Sequence, residues 1–126
     1  MWFSPSFDNS VLELWYAICF GGELHLADAD TRLSTETFFA YIRKHSIEAT
    51  YLPPHSVPFF RDWLKRLGPE DASKLSIRSL LVGTEPLDQG ILQEIWSLLP
   101  KLECFYNEYG PTEACVLNTF YPVPKT

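Results

Sequence analysis

Residues 76–87, SIRSLLVGTEPL, join an apolar run to a turn. The LLV run inside this segment is typical of a strand that is buried on both faces, as in a parallel sheet. Glycine and proline interrupt regular structure, so the strand is predicted to end at Gly83. Residues 88–100, DQGILQEIWSLLP, then have the pattern of a helix with Asp88 as its N-cap. A buried strand followed directly by a helix predicts a βαβ unit.

The same alternation extends in both directions along the chain. Further strands are predicted at residues 23–28, 47–52 and 101–107, and residues 116–123 can form one more. Helices are predicted at residues 10–22, capped by Asn9 or Ser10 and ended by Gly21-Gly22, at 34–46, capped by Ser34, and at 56–68, ended by Gly68. This order predicts an α/β fold in which alternating strands and helices form a mostly parallel sheet with right-handed crossovers.

Composition limits the classes of function. A chain of 126 residues with 46% hydrophobic residues can bury one core, and we expect one domain. The formal net charge of -6, with scattered lysines and arginines, argues against a nucleic-acid partner. Three cysteines without a CxxC pair suit reduced thiols in the cytoplasm, and three well-separated histidines do not suggest a metal site. No apolar run is long enough to predict a membrane span.

Polar segments follow three of the predicted strands. They are TYLPPH at residues 50–55, VGTEPL at 82–87 and YNEYGPTE at 106–113. Ligands of open α/β sheets bind beyond the carboxyl ends of the strands. We therefore expect the three segments to share one edge and form a site, which FDNS at residues 7–10 could join.

These segments also carry a resemblance to a known family. Residues 7–28 (FDNSVLELWYAICFGGELHLAD), 49–57 (ATYLPPHSV), 79–87 (SLLVGTEPL) and 106–115 (YNEYGPTEAC), in this order, resemble the adenylation domains of nonribosomal peptide synthetases, within the adenylate-forming superfamily. The similarity covers nearly the whole chain. It implies that an amino-acid carboxylate attacks the α-phosphate of ATP to give aminoacyl-AMP. The acyl group then passes to a phosphopantetheine thiol on a peptidyl carrier domain, next to a condensation domain of the same synthetase.

The resemblance implies roles for the residues that follow the strands. Thr112 and Glu113 are expected to be catalytic, with Thr112 bonding a phosphate oxygen and Glu113 holding Mg²⁺, which prefers oxygen ligands. The tyrosine ring of the YGPTE motif is expected to face adenine. The implied nucleotide-binding set is Gly83, Thr84, Glu85, Asn107, Glu108, Tyr109, Gly110 and Thr112. The alternative is a capped turn with a solvated glutamate.

For the amino acid, the resemblance implies that Asp8 pairs with the α-ammonium group. The alternative role of Asp8 is a helix cap beside Asn9 and Ser10. The side-chain pocket implied position by position is Asp8, Asn9, Leu12, Tyr51, Leu81, Gly83, Glu108, Val116 and Leu117. Because Glu108 is a carboxylate in an otherwise apolar set, we expect it either to meet an amide or cationic donor of the substrate or to face solvent.

Several features depart from the family pattern. Thr84 stands where a glycine often lets the backbone approach adenine. The sequence contains no phosphate loop ending in lysine, no later aspartate for the ribose and no C-terminal small domain. We therefore expect residues 1–126 to be a partial adenylation domain from the large N-terminal domain of a longer enzyme, inactive by itself. We also expect it to leave apolar side chains uncovered at Trp2, Trp15, Phe20, Phe38, Phe39 and Phe59.

Two other functions compete with this prediction. The chain could be a fragment of an acyl- or aryl-acid CoA ligase, although Asp8 would then have no substrate cation to meet. It could also be a nucleotide-binding or interaction module without catalysis, which the absence of the phosphate loop favours.

Overall fold

A computed structural model describes all residues, 1–126, and contains five helices and four strands. The helices are α1 (Asn9–Cys19), α2 (Ala29–Arg32), α3 (Thr35–Lys44), α4 (Val57–Lys74) and α5 (Gln89–Leu98). The strands are β1 (Ala49–Leu52), β2 (Ser79–Gly83), β3 (Cys104–Tyr109) and β4 (Thr119–Pro122). Single 3₁₀ turns lie at Pro54–Ser56 and Thr112–Ala114.

The strands form one sheet in the order β1-β2-β3-β4. β1, β2 and β3 are parallel and β4 is antiparallel to β3. Helices α4 and α5 connect the parallel strands, so the chain contains two consecutive βαβ units. The predicted α/β class with a mostly parallel sheet is confirmed.

The strand predicted at residues 23–28 is wrong, because this segment is irregular. Its sequence alternates, but alternation only marks which side chains can be buried, and a strand also needs a hydrogen-bonding neighbour. β1 is an edge strand of the sheet, and β2 is its only hydrogen-bonded neighbour. Asp28 instead caps the short helix α2, which was not predicted, by accepting a hydrogen bond from the Thr31 N–H at 2.7 Å.

The helix ends agree with prediction at some positions and differ at others. Ser34 caps α3 and Asp88 caps α5, both by accepting backbone N–H groups. The predicted cap of α1 by Asn9 or Ser10 is wrong, since Asp8 occupies the cap position with no side-chain cap bond. Gly68 interrupts α4 with a φ of 77°, yet helical structure resumes directly and continues to Lys74.

The two faces of the sheet differ. On the first, which we call the closed face, side chains of Leu80, Val82 and Phe105 form a core with α4 and α5. On the second, the open face, Tyr51, Leu81 and Glu108 point the other way because successive strand residues alternate between faces. The open face looks toward the amino-terminal segment and α1, where a cavity of about 580 Å³ remains.

The expectation of uncovered apolar side chains is correct for some residues only. Phe20 is 79% exposed, and Trp15 and Phe59 are more than half exposed. Phe38 and Phe39 are buried instead, because α3 packs on neighbouring aromatic rings, with Phe39 and Phe60 centroids 5.1 Å apart. Trp2 is half-buried and packs edge-on against Phe38.

Candidate functional site

The carboxyl ends of β1, β2 and β3 meet at one edge of the sheet. Leu52, Val82 and Asn107 are register neighbours, and Gly83 pairs with Glu108 one step further. The three polar segments predicted to form a site therefore leave the sheet side by side. This follows directly from the parallel order of the strands.

Gly83 brings two backbones into close contact at this edge. Its φ is 148°, and a Cβ at this position would lie 2.0 Å from the carbonyl oxygen of Glu108. The next residue, Thr84, donates its backbone N–H to that same carbonyl at 2.9 Å. Thr84 has a φ of 77°, in the left-handed region that disfavours β-branched residues. The site therefore holds Thr84 in a strained conformation against β3.

The chain folds tightly back after β3. A Cβ on Gly110 would lie 2.5 Å from the Cα of Leu117, and the Asn118 N–H donates to the Tyr109 carbonyl at 3.0 Å. Cys115 and Val116 both have positive φ values, 62° and 75°. No pattern in the sequence signalled these left-handed residues, because cysteine and valine rarely adopt this conformation.

Thr112 and Glu113 lie in the 3₁₀ turn at the tip of this loop and are exposed. The Thr112 hydroxyl donates a hydrogen bond to Oδ2 of Asp8 at 2.6 Å, across 104 residues of sequence. The bond joins the start of α1 to the loop after β3. It also gives the Asp8 carboxylate a partner outside its own helix, which is consistent with the absence of a side-chain cap there.

Glu108 is the buried carboxylate of the site. Its side chain is 1% exposed, and neither Oε1 nor Oε2 has a hydrogen-bond partner. Burial raises the pKa of Glu108 to about 7. A buried polar group without a partner is costly and uncommon in folded proteins.

Tyr51 lies beside Glu108 on the open face. Its hydroxyl donates to the carbonyl oxygen of Gly83 at 2.8 Å, and its ring lies 4.9 Å from that of Phe3. Burial raises the pKa of Tyr51, and the nearby negative charge of Glu108 adds to the shift. The phenol therefore stays protonated, and its donor is already used.

The cavity of about 580 Å³ collects part of the expected amino-acid pocket. Leu12, Tyr51 and Leu81 line it, together with aromatic side chains that sequence reasoning did not nominate, Tyr16, Phe20 and Tyr41. Other members of the expected set do not line this cavity. They are Asp8 and Asn9 at the start of α1, Gly83 and Glu108 at the sheet edge, and Val116 and Leu117 in the loop after β3.

Glu13 is a residue of this region that the sequence analysis missed. It lines the cavity, and its carboxylate accepts the backbone N–H groups of Trp2 and Phe3 at 2.8 to 3.1 Å. Burial raises the pKa of Glu13. The available signal was a single carboxylate inside the apolar helix sequence VLELWYAIC. The bonds to Glu13 fasten the amino-terminal segment to α1.

The expected nucleotide-binding residues lie around the same edge. Tyr109 is 59% exposed, so its ring face is accessible, and Asn107 is half-buried. Glu85 borders a smaller pocket of about 240 Å³, shared with His55 and Asp88, between the segments after β1 and β2. No three His, Cys, Asp or Glu side chains lie close enough together to hold a metal ion. No helix has the length and apolar character needed to cross a bilayer.

Comparison with known proteins gives consistent matches. The family profile described as AMP-binding enzyme matches residues 1–126. Malpinin synthetase of Mortierella alpina is 36% identical over 115 residues, which is 90% of this chain and 1% of that protein. Tyrocidine synthase 3 of Brevibacillus parabrevis is 31% identical over 120 residues, 94% of this chain and 2% of that protein. The chain thus spans only a few per cent of the length of these relatives.

Two solved structures share the fold. CmiS6 superposes with a TM-score of 0.73 and 25% identity, covering 94% of this chain and 28% of that one. PA1221, an NRPS protein containing adenylation and PCP domains, superposes with a TM-score of 0.76 and 26% identity, covering 98% of this chain and 23% of that one. The resemblance to nonribosomal peptide synthetase adenylation domains that the four sequence motifs predicted is therefore confirmed.

Proposed function

The chain belongs to the family of AMP-binding enzymes, and from that premise we propose that residues 1–126 form the part of an adenylation domain that holds an amino acid against ATP. The reaction joins the amino-acid carboxylate to the α-phosphate of ATP, giving aminoacyl-AMP and releasing pyrophosphate. The observation that carries this proposal is the hydrogen bond between Thr112 and Asp8. It places the residue expected to bind phosphate in contact with the residue expected to bind the α-ammonium group.

In this mechanism Asp8 and Thr112 exchange partners when substrates bind. Asp8 accepts hydrogen bonds from the α-ammonium group and thereby orients the amino-acid carboxylate toward the nucleotide. Thr112 turns its hydroxyl from Asp8 to a phosphate oxygen. Positioning and charge neutralisation provide most of the rate enhancement in phosphoryl chemistry of this kind, so no covalent intermediate with the protein is needed.

The nucleotide lies along the edge formed by the segments after β2 and β3. Tyr109 offers an exposed ring face to adenine, and the backbone at residues 83–85 and 107–110 lines the adenine pocket. Glu113 fits Mg²⁺, because it is an exposed carboxylate with no ion-pair partner and Mg²⁺ prefers oxygen ligands while keeping several waters. Bound there, the ion would neutralise phosphate charge.

The proposal extends to the wider protein. Relatives named as synthetases, and a solved relative with adenylation and PCP domains, support a carrier-domain phosphopantetheine thiol as acceptor of the acyl group and a condensation domain as a further partner. We place the reaction in the cytoplasm. Residues 1–126 are proposed to be a partial domain that lacks the phosphate loop and the C-terminal small domain. They are therefore expected to give no ATP–pyrophosphate exchange by themselves.

The test uses the complete polypeptide that carries residues 1–126. Amino-acid-dependent ATP–pyrophosphate exchange is measured for the wild type, for Asp8→Asn and for the control Glu70→Gln, which alters an exposed residue on α4. We expect Asp8→Asn to lower kcat/KM for the amino acid by about 100-fold, since a charge-assisted pair is lost, and Glu70→Gln to leave it unchanged.

Two results would favour the competing functions. Exchange supported only by carboxylic acids without an α-amino group, and unaffected by Asp8→Asn, would identify an acyl- or aryl-acid ligase. Nucleotide binding without any exchange would identify a non-catalytic module.

A further inference from the structure

We propose that Glu108 recognises the far end of the substrate side chain, and that the activated amino acid carries an ammonium or guanidinium group there. This inference rests on the proposed function, and it names the substrate class of the same site. It starts from the two oxygens of Glu108, which are buried and have no hydrogen-bond partner.

The groups around Glu108 bond to one another and leave its carboxylate without a partner. The carbonyl oxygen of Gly83, its register neighbour, already receives the Tyr51 hydroxyl. The Glu108 carbonyl already receives the Thr84 N–H. The two Glu108 carboxylate oxygens are the buried side-chain acceptors that still have no partner.

No cation of the chain neutralises Glu108. None of the ion pairs in residues 1–126 includes it. Arg78, which lines the cavity on the open face, is paired with Glu103 at 2.8 Å. Arg78 also lies just before the start of β2, whereas Glu108 pairs with the last residue of that strand. Within residues 1–126 Glu108 therefore has no cationic partner, and we assign that role to the substrate.

The cavity on the open face has apolar walls and lies next to Glu108, although Glu108 does not line it. Leu12 and Leu81 line the cavity, and Tyr51 both lines it and bonds to the register neighbour of Glu108. Methylene groups can pack along the leucines while a terminal cation reaches the carboxylate. Long cationic side chains have this division between an apolar stem and a charged head.

Other side chains fit less well. An apolar side chain would leave the buried carboxylate unpartnered, and an acidic one would place a second negative charge beside it. Without ligand, the raised pKa lets Glu108 take up a proton and lowers the cost of its burial. A bound cation favours the charged carboxylate and replaces that proton.

Matched pairs of substrates test this inference in the complete polypeptide. L-ornithine is compared with L-norvaline and L-lysine with L-norleucine, so each pair differs in the terminal ammonium group. L-arginine, L-glutamine and L-glutamate complete the set. Amino-acid-dependent ATP–pyrophosphate exchange gives kcat/KM for each. We expect a cationic amino acid to be the best substrate and to exceed its apolar counterpart by 100-fold or more, because polar sites reject analogues that lack the matching group.

Variants separate recognition by Glu108 from a general loss of activity. Glu108→Gln keeps the size and removes the charge, and it should lower the preference for the cationic member of each pair by about 100-fold. Glu113→Gln, the matched control, should lower activity toward all substrates by the same factor. The wild-type comparison needs no variant, so it remains informative if Glu108→Gln does not fold.

The other outcomes overturn the inference in distinguishable ways. Highest activity with norvaline, norleucine, glutamine or glutamate would overturn it while the proposed function stands. An equal loss for every substrate in Glu108→Gln would also overturn it, because Glu108 would then not discriminate between the side chains. If none of the amino acids supported ATP–pyrophosphate exchange, the proposed function and the inference would both be contradicted.

Discussion

The closed and open faces are built from alternate residues of the same three strands, yet they have different surroundings. On the closed face, Leu80 and Val82 are fully buried in an apolar core under α4 and α5. On the open face, Leu81 and Tyr51 border a cavity, and Glu108 is buried without a partner. The closed face stabilises the fold, and we propose that the open face binds a ligand at some cost in stability.

Adjacent leucines on opposite faces give the strongest test of this contrast. Leu80→Ala removes a side chain from a closed core, and we expect it to lower the free energy of unfolding by about 2–5 kcal/mol. Leu81→Ala enlarges an existing cavity and should cost less stability than Leu80→Ala, while raising KM for the amino acid. Urea unfolding and exchange kinetics of the domain that contains residues 1–126 measure both effects. Equal losses of stability would contradict the distinction between the faces.

The second prediction concerns pH and Glu108. The pKa of about 7 in the folded state lies above the ordinary value of 4.5, so the folded state binds this proton more tightly than the unfolded state does. Stability from this group is therefore fully present below pH 4.5 and is lost as the pH rises toward and through 7. The loss amounts to about 3 kcal/mol. Tyr51, the titratable neighbour, remains neutral over this range because its pKa is raised.

Glu108→Gln removes this pH dependence while keeping the shape of the side chain. We expect the variant and the wild type to have similar stability at pH 4.5, and the variant to be more stable by about 3 kcal/mol at pH 8. Glu113→Gln, at an exposed position, should leave the pH profile of unfolding unchanged. A wild-type profile that is flat between pH 4.5 and 8 would show that Glu108 is not buried and unpaired.

The smallest expected effect lies at the edge where the two faces meet. Thr84→Gly removes the backbone strain that a β-branched residue has at a φ of 77°, and it should stabilise the fold by about 1 kcal/mol. Gly83→Ala, one residue earlier, should instead be severely destabilising, because the added Cβ would lie 2.0 Å from the Glu108 carbonyl oxygen. Thermal unfolding of both variants checks the prediction. Destabilisation by Thr84→Gly would show that the threonine side chain contributes more than its conformation costs.

Sequence periodicity predicted the closed face well, because it depends on local apolar patterns. The parallel strands β1, β2 and β3 and the caps at Ser34 and Asp88 were all readable from residue type and spacing. Pairing is not local, which is why residues 23–28 alternate like a strand but form none.

Prediction of the site needed information about residues that lie far apart in the sequence. The bond between Asp8 and Thr112 joins residues 104 positions apart. The order of strands and helices allowed residues 7–10 to join the site, but only the resemblance to a family implied a role for each residue there. The alternation of β3 places Glu108 on the face opposite Phe105, but it does not reveal that both carboxylate oxygens lack partners. That fact depends on how Tyr51 and Gly83 pack beside it.

A crystal structure of the complete polypeptide with its amino acid and a non-hydrolysable ATP analogue would test most directly whether the open face binds the substrate. We predict that the α-ammonium group lies on Asp8, that the substrate side chain extends along the open face to Glu108, and that the Thr112 hydroxyl has left Asp8 for a phosphate oxygen. An amino acid bound elsewhere, with the 2.6 Å bond between Thr112 and Asp8 intact, would contradict this account.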